Sequence, residues 1–179
     1  MTPDDKGLAG RANDPRSSRV VLGIDPGTAR LGFAIVRSEG NALTLLRADV
    51  ISTHAVDAPH VRLQQVYRGL LEVIAETAPQ EMAIEELFFA KNATTAIGVG
   101  QARGVALLAA AEAGLTVSEY KPMQVKQAIH GYGLATKAQV GDMVRVLLKL
   151  PALLRPDDAA DAAAIAICHL HTTHQLMLK

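Results

Sequence analysis

Residues 20–24 read Val-Val-Leu-Gly-Ile, an apolar run that ends at the turn sequence Asp25-Pro26-Gly27. A strand with no polar side has both faces buried, as in the middle of a sheet that helices cover on each side. Proline and glycine then end the strand, because proline fixes φ and glycine accepts the positive φ that turns require. Apolar residues make up 49% of the 179 residues, enough for a sizeable core. The run therefore predicts an α/β domain and excludes a disordered scaffold.

The spacing of apolar residues along the rest of the chain predicts the order in which strands and helices follow one another. Strands at 31–36 and 42–51 extend the first strand into an antiparallel meander, after which helices and strands alternate. We predict further strands at 81–87 and 116–120, and helices at 60–78, 94–113, 123–129, 137–150 and 157–171. This order implies a mixed five-stranded sheet, three antiparallel strands followed by parallel strands, with helices on both faces.

The two ends of the chain and its cysteine content predict its organisation and surroundings. Residues 1–18 have no apolar period, so we expect a disordered N-terminal extension, with residues 19–175 forming a single domain. No apolar run reaches the roughly 18 residues of a membrane-spanning helix. One cysteine cannot form a disulfide within the chain. We expect a soluble protein of the reducing cytoplasm, without a membrane partner.

The charges balance overall but are unevenly distributed. The chain has 18 basic and 18 acidic side chains. Residues 19–90 carry six basic and nine acidic side chains, whereas residues 91–149 carry seven basic and three acidic ones. A basic segment beside an acid-rich one suits a protein that holds phosphates with one surface and cations with another, although such a split also arises by chance.

Four acidic residues lie at or beside positions that we expect to face the apolar core. Asp25 ends the buried first strand, and Glu85 lies in the predicted strand 81–87. Asp158 and Asp161 are three residues apart and share one face of the last helix. Strand ends at one edge of an α/β sheet can converge with an adjacent helix start. Carboxylates brought together in this way would bind one or two divalent cations, Mg²⁺ or Mn²⁺.

Each acid also has a simpler interpretation, and at this point the alternatives stay open. Asp25 opens an Asp-Pro-Gly-Thr turn, where aspartate commonly bonds the backbone two residues further on. Glu85 could be a solvated acid at a frayed strand end. Asp158 and Asp161 would be stabilised by the helix dipole in the first turns of a helix.

Four longer segments carry a specific resemblance to a known family. They are GIDPGTARLGFAIV at 23–36, AIEELFFAKNATTAIGVGQARGVALLAA at 83–110, YKPMQVKQAIHGYGLATKAQV at 120–140 and DDAADAAAIAICH at 157–169. In this order they resemble the RuvC family of Holliday junction resolvases, which have a ribonuclease-H-like fold. The resemblance covers nearly everything between residues 20 and 169.

The resemblance implies a catalytic site and a reaction. Asp25, Glu85, Asp158 and Asp161 match the family's catalytic, metal-binding acids, with two Mg²⁺ ions at each site and Mn²⁺ able to substitute. Glu85 is preferred to Glu86 because the family's acid directly follows Ala-Ile. The implied protein is a homodimer that nicks two opposed strands of a four-way DNA junction and leaves 5′-phosphate and 3′-hydroxyl ends. It would cooperate with the RuvAB branch-migration complex in recombination and repair.

The basic excess and the resemblance together indicate DNA contacts. Lys126 and Lys137 fall on family positions that hold DNA, and basic side chains bind phosphates without reading sequence. One ring of the pair Phe88 and Phe89 should be buried, while the other, Phe88 by family position, would stack on a base exposed at the junction centre. The predicted DNA-binding residues are Phe88, Lys91, Asn92, Arg103, Lys126 and Lys137.

Small residues recur one turn apart on the predicted helix 94–113, at Ala96, Gly100 and Gly104. Each glycine costs about 1 kcal/mol relative to alanine within a helix, so their smallness needs an explanation. Close packing on the helix's own sheet is one explanation. The family's dimer favours the other, packing against the same helix of a second subunit.

A histidine-rich cluster near the C-terminus has the residue types of a zinc site. No carboxylate follows it to support such ligands, so we interpret its histidines as ordinary helix-end residues. Its members are Cys168, His169, His171 and His174.

Three other functions compete with junction resolution. An actin-like ATPase shares the GIDPGT sequence but needs a second domain and a second phosphate loop, for which 179 residues leave no room. The second is a paralogue that binds branched DNA without cutting it. Such a protein needs no catalytic acids, so the presence of all four argues against it. A ribonuclease-H-like nuclease that acts on another nucleic-acid substrate is the nearest enzymatic alternative.

Overall fold

A computed structural model of the chain describes residues 18–86 and 93–177. Five strands in these ranges form one sheet in the order β3-β2-β1-β4-β5. The strands are β1 (Arg19–Asp25), β2 (Arg30–Glu39), β3 (Ala42–Ser52), β4 (Glu81–Glu85) and β5 (Thr116–Tyr120). The first three are antiparallel, while β4 runs parallel to both β1 and β5. The predicted mixed sheet is confirmed, with β1 at its centre.

Helices cover both faces of this sheet. They are α1 (Pro59–Thr77), α2 (Ala93–Glu112), α3 (Pro122–His130), α4 (Lys137–Leu147) and α5 (Asp157–Met177). One apolar core lies under α1 and α2, and the other under α3, α4 and α5. None of the helices in the described ranges is long and apolar enough to cross a membrane.

The side chains of β1 alternate between the two covered faces of the sheet, and this alternation explains the uninterrupted apolar run in its sequence. Leu22 and Ile24 point into the core under α1 and α2, while Val21 points into the core on the α5 side. All three side chains are fully buried. Successive side chains of a strand point to opposite faces, so a strand covered on both sides needs apolar residues at every position. After the apolar run at 20–24, Asp25 breaks the rule.

Two helix ends differ from the prediction. Helix α4 stops at Leu147 instead of residue 150, because Lys149 adopts a positive φ of 54° and the Leu150 N–H bonds back to the carbonyl of Arg145. Helix α5 continues to Met177, about two turns beyond the predicted end at residue 171. The N-terminal extension predicted for residues 1–18 lies almost wholly outside the described residues, and the predicted division of the chain stays a prediction.

Candidate active site

Two of the four predicted acids are brought together by strand pairing. Strands β1 and β4 are parallel neighbours, with Ile24 opposite Ile84. Asp25 and Glu85 each follow that pair by one residue and therefore end adjacent strands at the same edge of the sheet. Both side chains point to the face that α5 covers, since Gly23 and Ala83, two residues earlier in each strand, face that helix and its core. The two strand ends at which the sequence places these acids are therefore adjacent.

Helix α5 supplies the other two acids because it lies unusually close to the sheet. A Cβ built on Gly32 would be 2.1 Å from the carbonyl oxygen of Asp158, and one built on Gly23 would be 2.1 Å from that of Ala162. Neither position has room for a side chain. Gly32 is the partner of Asp25 in the antiparallel β1–β2 pair, so the start of α5 rests directly beside Asp25.

Three of the acids line one cavity of about 260 Å³. Asp25, Glu85 and Asp161 form its acidic wall, while Lys126 of α3 and Lys137 of α4 supply the positive charges. The remaining lining residues are Pro122, Val125, Val140, Ala164 and Ile165. Five of the predicted site residues, from five different elements, therefore meet in one place.

The fourth acid, Asp158, lies beside this cavity without lining it. Its charge acts on Asp25, and the Arg30 Nε lies 3.1 Å from its Oδ2. That oxygen is nevertheless buried without a hydrogen bond, because the guanidinium N–H is near it but not directed at it. Unpaired buried carboxylate oxygens are costly, so Asp158 has an unused ligand atom close to the other acids.

The electrostatics show how strongly the carboxylates are crowded. Burial, followed by repulsion from Asp161, Glu85 and Asp158, raises the pKa of Asp25 to about 7. Burial and the charge of Asp161 also raise the pKa of Glu85, against the opposing effect of Lys126. Such shifts mark a cluster that needs an external positive charge to remain fully ionised at neutral pH.

Lys137 already provides part of that charge. Its Nζ lies 2.7 Å from Asp161 Oδ2 and 3.9 Å from Asp157 Oδ2. The hydrogen bond to Asp161 raises the pKa of Lys137, so the ammonium stays charged. Among the described residues, no three acidic, histidine or cysteine side chains converge on a single point that could hold an ion. In this structure Asp161 Oδ2 is engaged by the Lys137 ammonium.

Arg103, predicted to contact DNA, is engaged within the protein. Its Nε donates to the backbone carbonyl of Glu85 at 3.2 Å, and its Nη2 pairs with Glu119. It therefore supports the end of β4 that carries the candidate acid Glu85. Its predicted DNA contact stays a prediction.

The remaining predicted residues are separated from the cavity or lie outside the described ranges. Ala96, Gly100 and Gly104 lie along α2, which packs on the opposite face of the sheet from α5. Three predicted DNA-binding residues, Phe88, Lys91 and Asn92, lie outside the described residues.

Sequence reasoning missed three residues that shape the site. Gly23 and Gly32 allow the close approach of α5, and the signal for them is glycine inside an otherwise apolar strand. Arg30 neutralises part of the charge of Asp158, but nothing in the sequence pairs residues so far apart. All three act on the placement or charge of acids that the sequence did predict.

Comparisons with known proteins identify the family of this chain. The sequence model of the family described as crossover junction endodeoxyribonuclease RuvC matches residues 21–169. A curated crossover junction endodeoxyribonuclease RuvC from Heliobacterium modesticaldum is 54% identical over 153 residues, which cover 86% of this chain and 94% of that relative.

Solved structures of the Thermus thermophilus RuvC are also similar. One covers 88% of this chain and 97% of its own, with 40% identity and a TM-score of 0.83. A second, in complex with Holliday junction substrate, covers 87% of this chain and 96% of its own, with 39% identity and a TM-score of 0.80. With its ribonuclease-H-like sheet and its acids gathered at one edge, the chain belongs to the RuvC family of crossover junction endodeoxyribonucleases.

Proposed function

We propose that this protein resolves four-way (Holliday) DNA junctions by metal-dependent hydrolysis of phosphodiester bonds. The observation that carries the proposal is the meeting of Asp25, Glu85 and Asp161 in one cavity beside two lysines. The substrate is supported by the Thermus relative, whose structure contains Holliday junction substrate. The comparisons do not favour the alternative of a ribonuclease-H-like nuclease with another substrate.

The residues present fit a divalent cation with oxygen ligands. The acids are crowded enough to raise the pKa of both Asp25 and Glu85, and Asp158 has a buried oxygen with no hydrogen bond. Mg²⁺ prefers such carboxylate ligands and retains waters that can face a phosphate. We propose that Asp25, Glu85, Asp158 and Asp161 hold two Mg²⁺ ions, with Mn²⁺ able to substitute. Bound in this site, the metal supplies activation of the attacking water and stabilisation of the leaving 3′ oxygen.

The protein's own side chains position the DNA strand. Lys126 and Lys137 lie on the cavity beside the acids, where their ammonium groups can hold the oxygens of the scissile phosphate. If Asp161 held a metal ion, the Lys137 ammonium that now lies 2.7 Å from Asp161 Oδ2 would be available to hold the substrate phosphate. The apolar side chains of Val125 and Val140 restrict the water around the reacting phosphate.

DNA contacts extend from the cavity along α3 and α4. No acidic residue lies between Glu119 and Asp142, a stretch that contains three lysines, so this surface attracts phosphates. We retain Phe88, Lys91 and Asn92 as proposed junction contacts, with Phe88 stacking on a base at the junction centre. Hydrolysis of this kind leaves 5′-phosphate and 3′-hydroxyl ends that a ligase can reseal.

Symmetric cleavage of two strands requires two active sites, and the exposed face of α2 suits a dimer. Ile97 and Leu108 are 64% and 52% exposed, and a Cβ built on Gly104 would meet no atom of the described residues within 4 Å. Gly104 therefore does not pack against its own sheet, which removes the simpler explanation for this residue. We propose that α2 packs against α2 of a second subunit, with Ala96, Gly100 and Gly104 at the contact.

Two wider aspects of the function stay predictions. Cooperation with the RuvAB branch-migration complex follows from membership of the family. The cytoplasmic location follows from the expected DNA substrate and the single cysteine.

The proposal is tested by offering the purified protein a panel of substrates. A synthetic four-way junction, a linear duplex of the same sequence and an RNA–DNA hybrid are each incubated with Mg²⁺, with Mn²⁺ and with EDTA. We expect paired nicks in opposed strands of the junction with either metal, and no cleavage in EDTA. Preferred cleavage of the hybrid would instead support the alternative nuclease, and cleavage in EDTA would contradict metal dependence.

A further inference from the structure

A buried polar network joins α5 to the sheet at the end opposite the candidate active site. His169 is 2% exposed, and its Nε2 lies 2.7 Å from Glu81 Oε2 while its Nδ1 lies 2.8 Å from the Tyr120 hydroxyl. Arg19 completes the network, with Nε and Nη2 donating to the two oxygens of Glu81 at 2.8 and 2.7 Å. The histidine thus occupies the interior of α5, and not a helix end as its sequence position suggested.

The partners of Glu81 keep this carboxyl group ionised. Burial raises the pKa of Glu81, but hydrogen bonds from His169 and Arg19 outweigh burial and lower it to about 2. Glu81 is therefore a carboxylate under all working conditions, so His169 Nε2 must donate to it. In the neutral imidazole, Nδ1 then accepts from the Tyr120 hydroxyl, and both ring nitrogens are satisfied.

Strand β4 connects this network to the candidate active site. Glu81 and Glu85 are its first and last residues and point to the same face, because they are four residues apart. The span between them is about 13 Å at 3.3 Å per residue. On α5, which runs antiparallel to β4, Asp161 and His169 are eight residues apart and span about 12 Å. The two spans match, so a contact between His169 and Glu81 at one end places Asp161 opposite Glu85 at the other.

The contacts of α5 with the sheet between these two ends are apolar. Between these ends, α5 buries the alanines Ala162, Ala163 and Ala166 and the larger side chains Ile165 and Ile167 in the core on this side of the sheet. The alanines permit close approach of the helix, but none of these apolar side chains forms a directional bond to the sheet. A slip of one residue would move the helix by 1.5 Å and turn it by about 100°, taking Asp161 away from the cavity.

We propose that His169 is a positioning residue for the metal site: its hydrogen bonds to Glu81 and Tyr120 fix α5 on the sheet and so hold Asp161 opposite Glu85. This proposal rests on the proposed role of Asp161 and Glu85 as metal ligands. A buried hydrogen-bonded group fixes register because its bonds are directional, whereas apolar contacts tolerate sliding.

The test measures Mn²⁺ affinity without DNA, by electron paramagnetic resonance, for the wild type and three variants. His169→Leu keeps most of the volume and removes both hydrogen bonds, so its Mn²⁺ Kd should rise about 10- to 100-fold. His169→Gln retains a donor toward Glu81 and should lie within a few-fold of the wild type. Tyr120→Phe removes only one hydrogen bond, keeps its ring, and should raise the Kd about three- to fivefold.

A matched control separates positioning from general stability. Leu70→Ala removes a fully buried side chain from the core on the opposite face of the sheet. It should lower the melting temperature, as His169→Leu does, but leave Mn²⁺ affinity unchanged when measured below the unfolding transition. Junction binding in EDTA should be the same for the wild type, His169→Leu and Leu70→Ala.

Several results would overturn the proposal. Wild-type Mn²⁺ affinity in His169→Leu, or in Tyr120→Phe if His169→Leu fails to fold, would mean that the network does not position the site. An equal loss of affinity in Leu70→Ala would assign the effect to stability. A wild type that binds no Mn²⁺ would overturn the metal-site assignment as well, which distinguishes that failure from a failure of the positioning role.

Discussion

Substituting Gly32 by alanine should disable catalysis without touching an acidic residue. The new Cβ would lie 2.1 Å from the carbonyl oxygen of Asp158 and 2.5 Å from its carbonyl carbon, whereas ordinary contacts begin at 3.4 Å. Relieving the closer contact requires the first turn of α5 to move by about 1.3 Å. A displacement of about 1 Å at a reacting centre can cost about 100-fold in rate, so we expect a loss of that order in junction cleavage.

The assay is single-turnover cleavage of a four-way junction at saturating Mg²⁺, with junction binding in EDTA measured in parallel. Binding should change little, because Lys126 and Lys137 lie on α3 and α4 and not on the displaced helix. Overpacking of this kind costs about 1–3 kcal/mol, which corresponds to a fall in melting temperature of about 2–12 °C for a chain of this length.

Gly141→Ala is the matched control. Gly141 is within α4, and the nearest atom that its Cβ would meet is Leu153 Cδ2 at 3.9 Å, an ordinary contact. This substitution should raise the melting temperature slightly and leave cleavage unchanged. Wild-type cleavage by Gly32→Ala would refute the reasoning, since it would show that the close approach of α5 at Gly32 does not set the geometry of the acids.

Three further predictions follow from the site and from α2. We expect loss of cleavage with junction binding nearly intact in each of the variants Asp25→Asn, Glu85→Gln and Asp161→Asn, because these substitutions remove the charge of a proposed metal ligand but keep the lysines. A variant that cleaves at the wild-type rate would exclude its residue from the catalytic set. In EDTA, the melting temperature should fall as pH rises from about 4 to 7. Burial and neighbouring carboxylates raise the pKa of Asp25 to about 7 in the folded protein, whereas the unfolded chain releases this proton near pH 4, so the folded state loses stability across that range. The fall should be smaller in Asp25→Asn, and identical profiles would contradict this origin. Gly100→Leu should convert the proposed dimer to a monomer in analytical ultracentrifugation, and a dimer that this substitution leaves unchanged would place the subunit contact elsewhere.

The order of elements along the chain and the candidate acids could be predicted because both are evident in the local sequence. An apolar run without a polar side indicates a central strand, and a charged residue at its end is conspicuous. The spacing of Asp158 and Asp161 places them on one helix face whatever surrounds the helix. Parallel pairing of β1 and β4 then brings Asp25 and Glu85 to the same edge of the sheet.

The features that the sequence did not predict depend on residues far apart in the chain. His169 pairs with Glu81, 88 positions away, and its burial could not be foreseen while α5 was expected to end at residue 171. A glycine inside a strand, such as Gly32, indicates that another segment of backbone approaches closely, but it does not identify Asp158 as that neighbour. The salt bridge of Lys137 to Asp161 requires knowledge of how α4 packs against α5. Tertiary packing therefore determines which charges in the site neutralise one another, whereas the local sequence pattern indicates which residues belong to the site.

The most direct test of the central claim is to locate the metal itself. A crystal soaked in Mn²⁺, with anomalous diffraction measured near the manganese absorption edge, reports the ion's position independently of activity. We predict an anomalous peak bounded by carboxylate oxygens of Asp25, Glu85 and Asp161, with Lys137 Nζ moved from its position 2.7 Å from Asp161. An ordered cavity without such a peak, with Lys137 still paired to Asp161, would contradict the assignment of these acids as metal ligands.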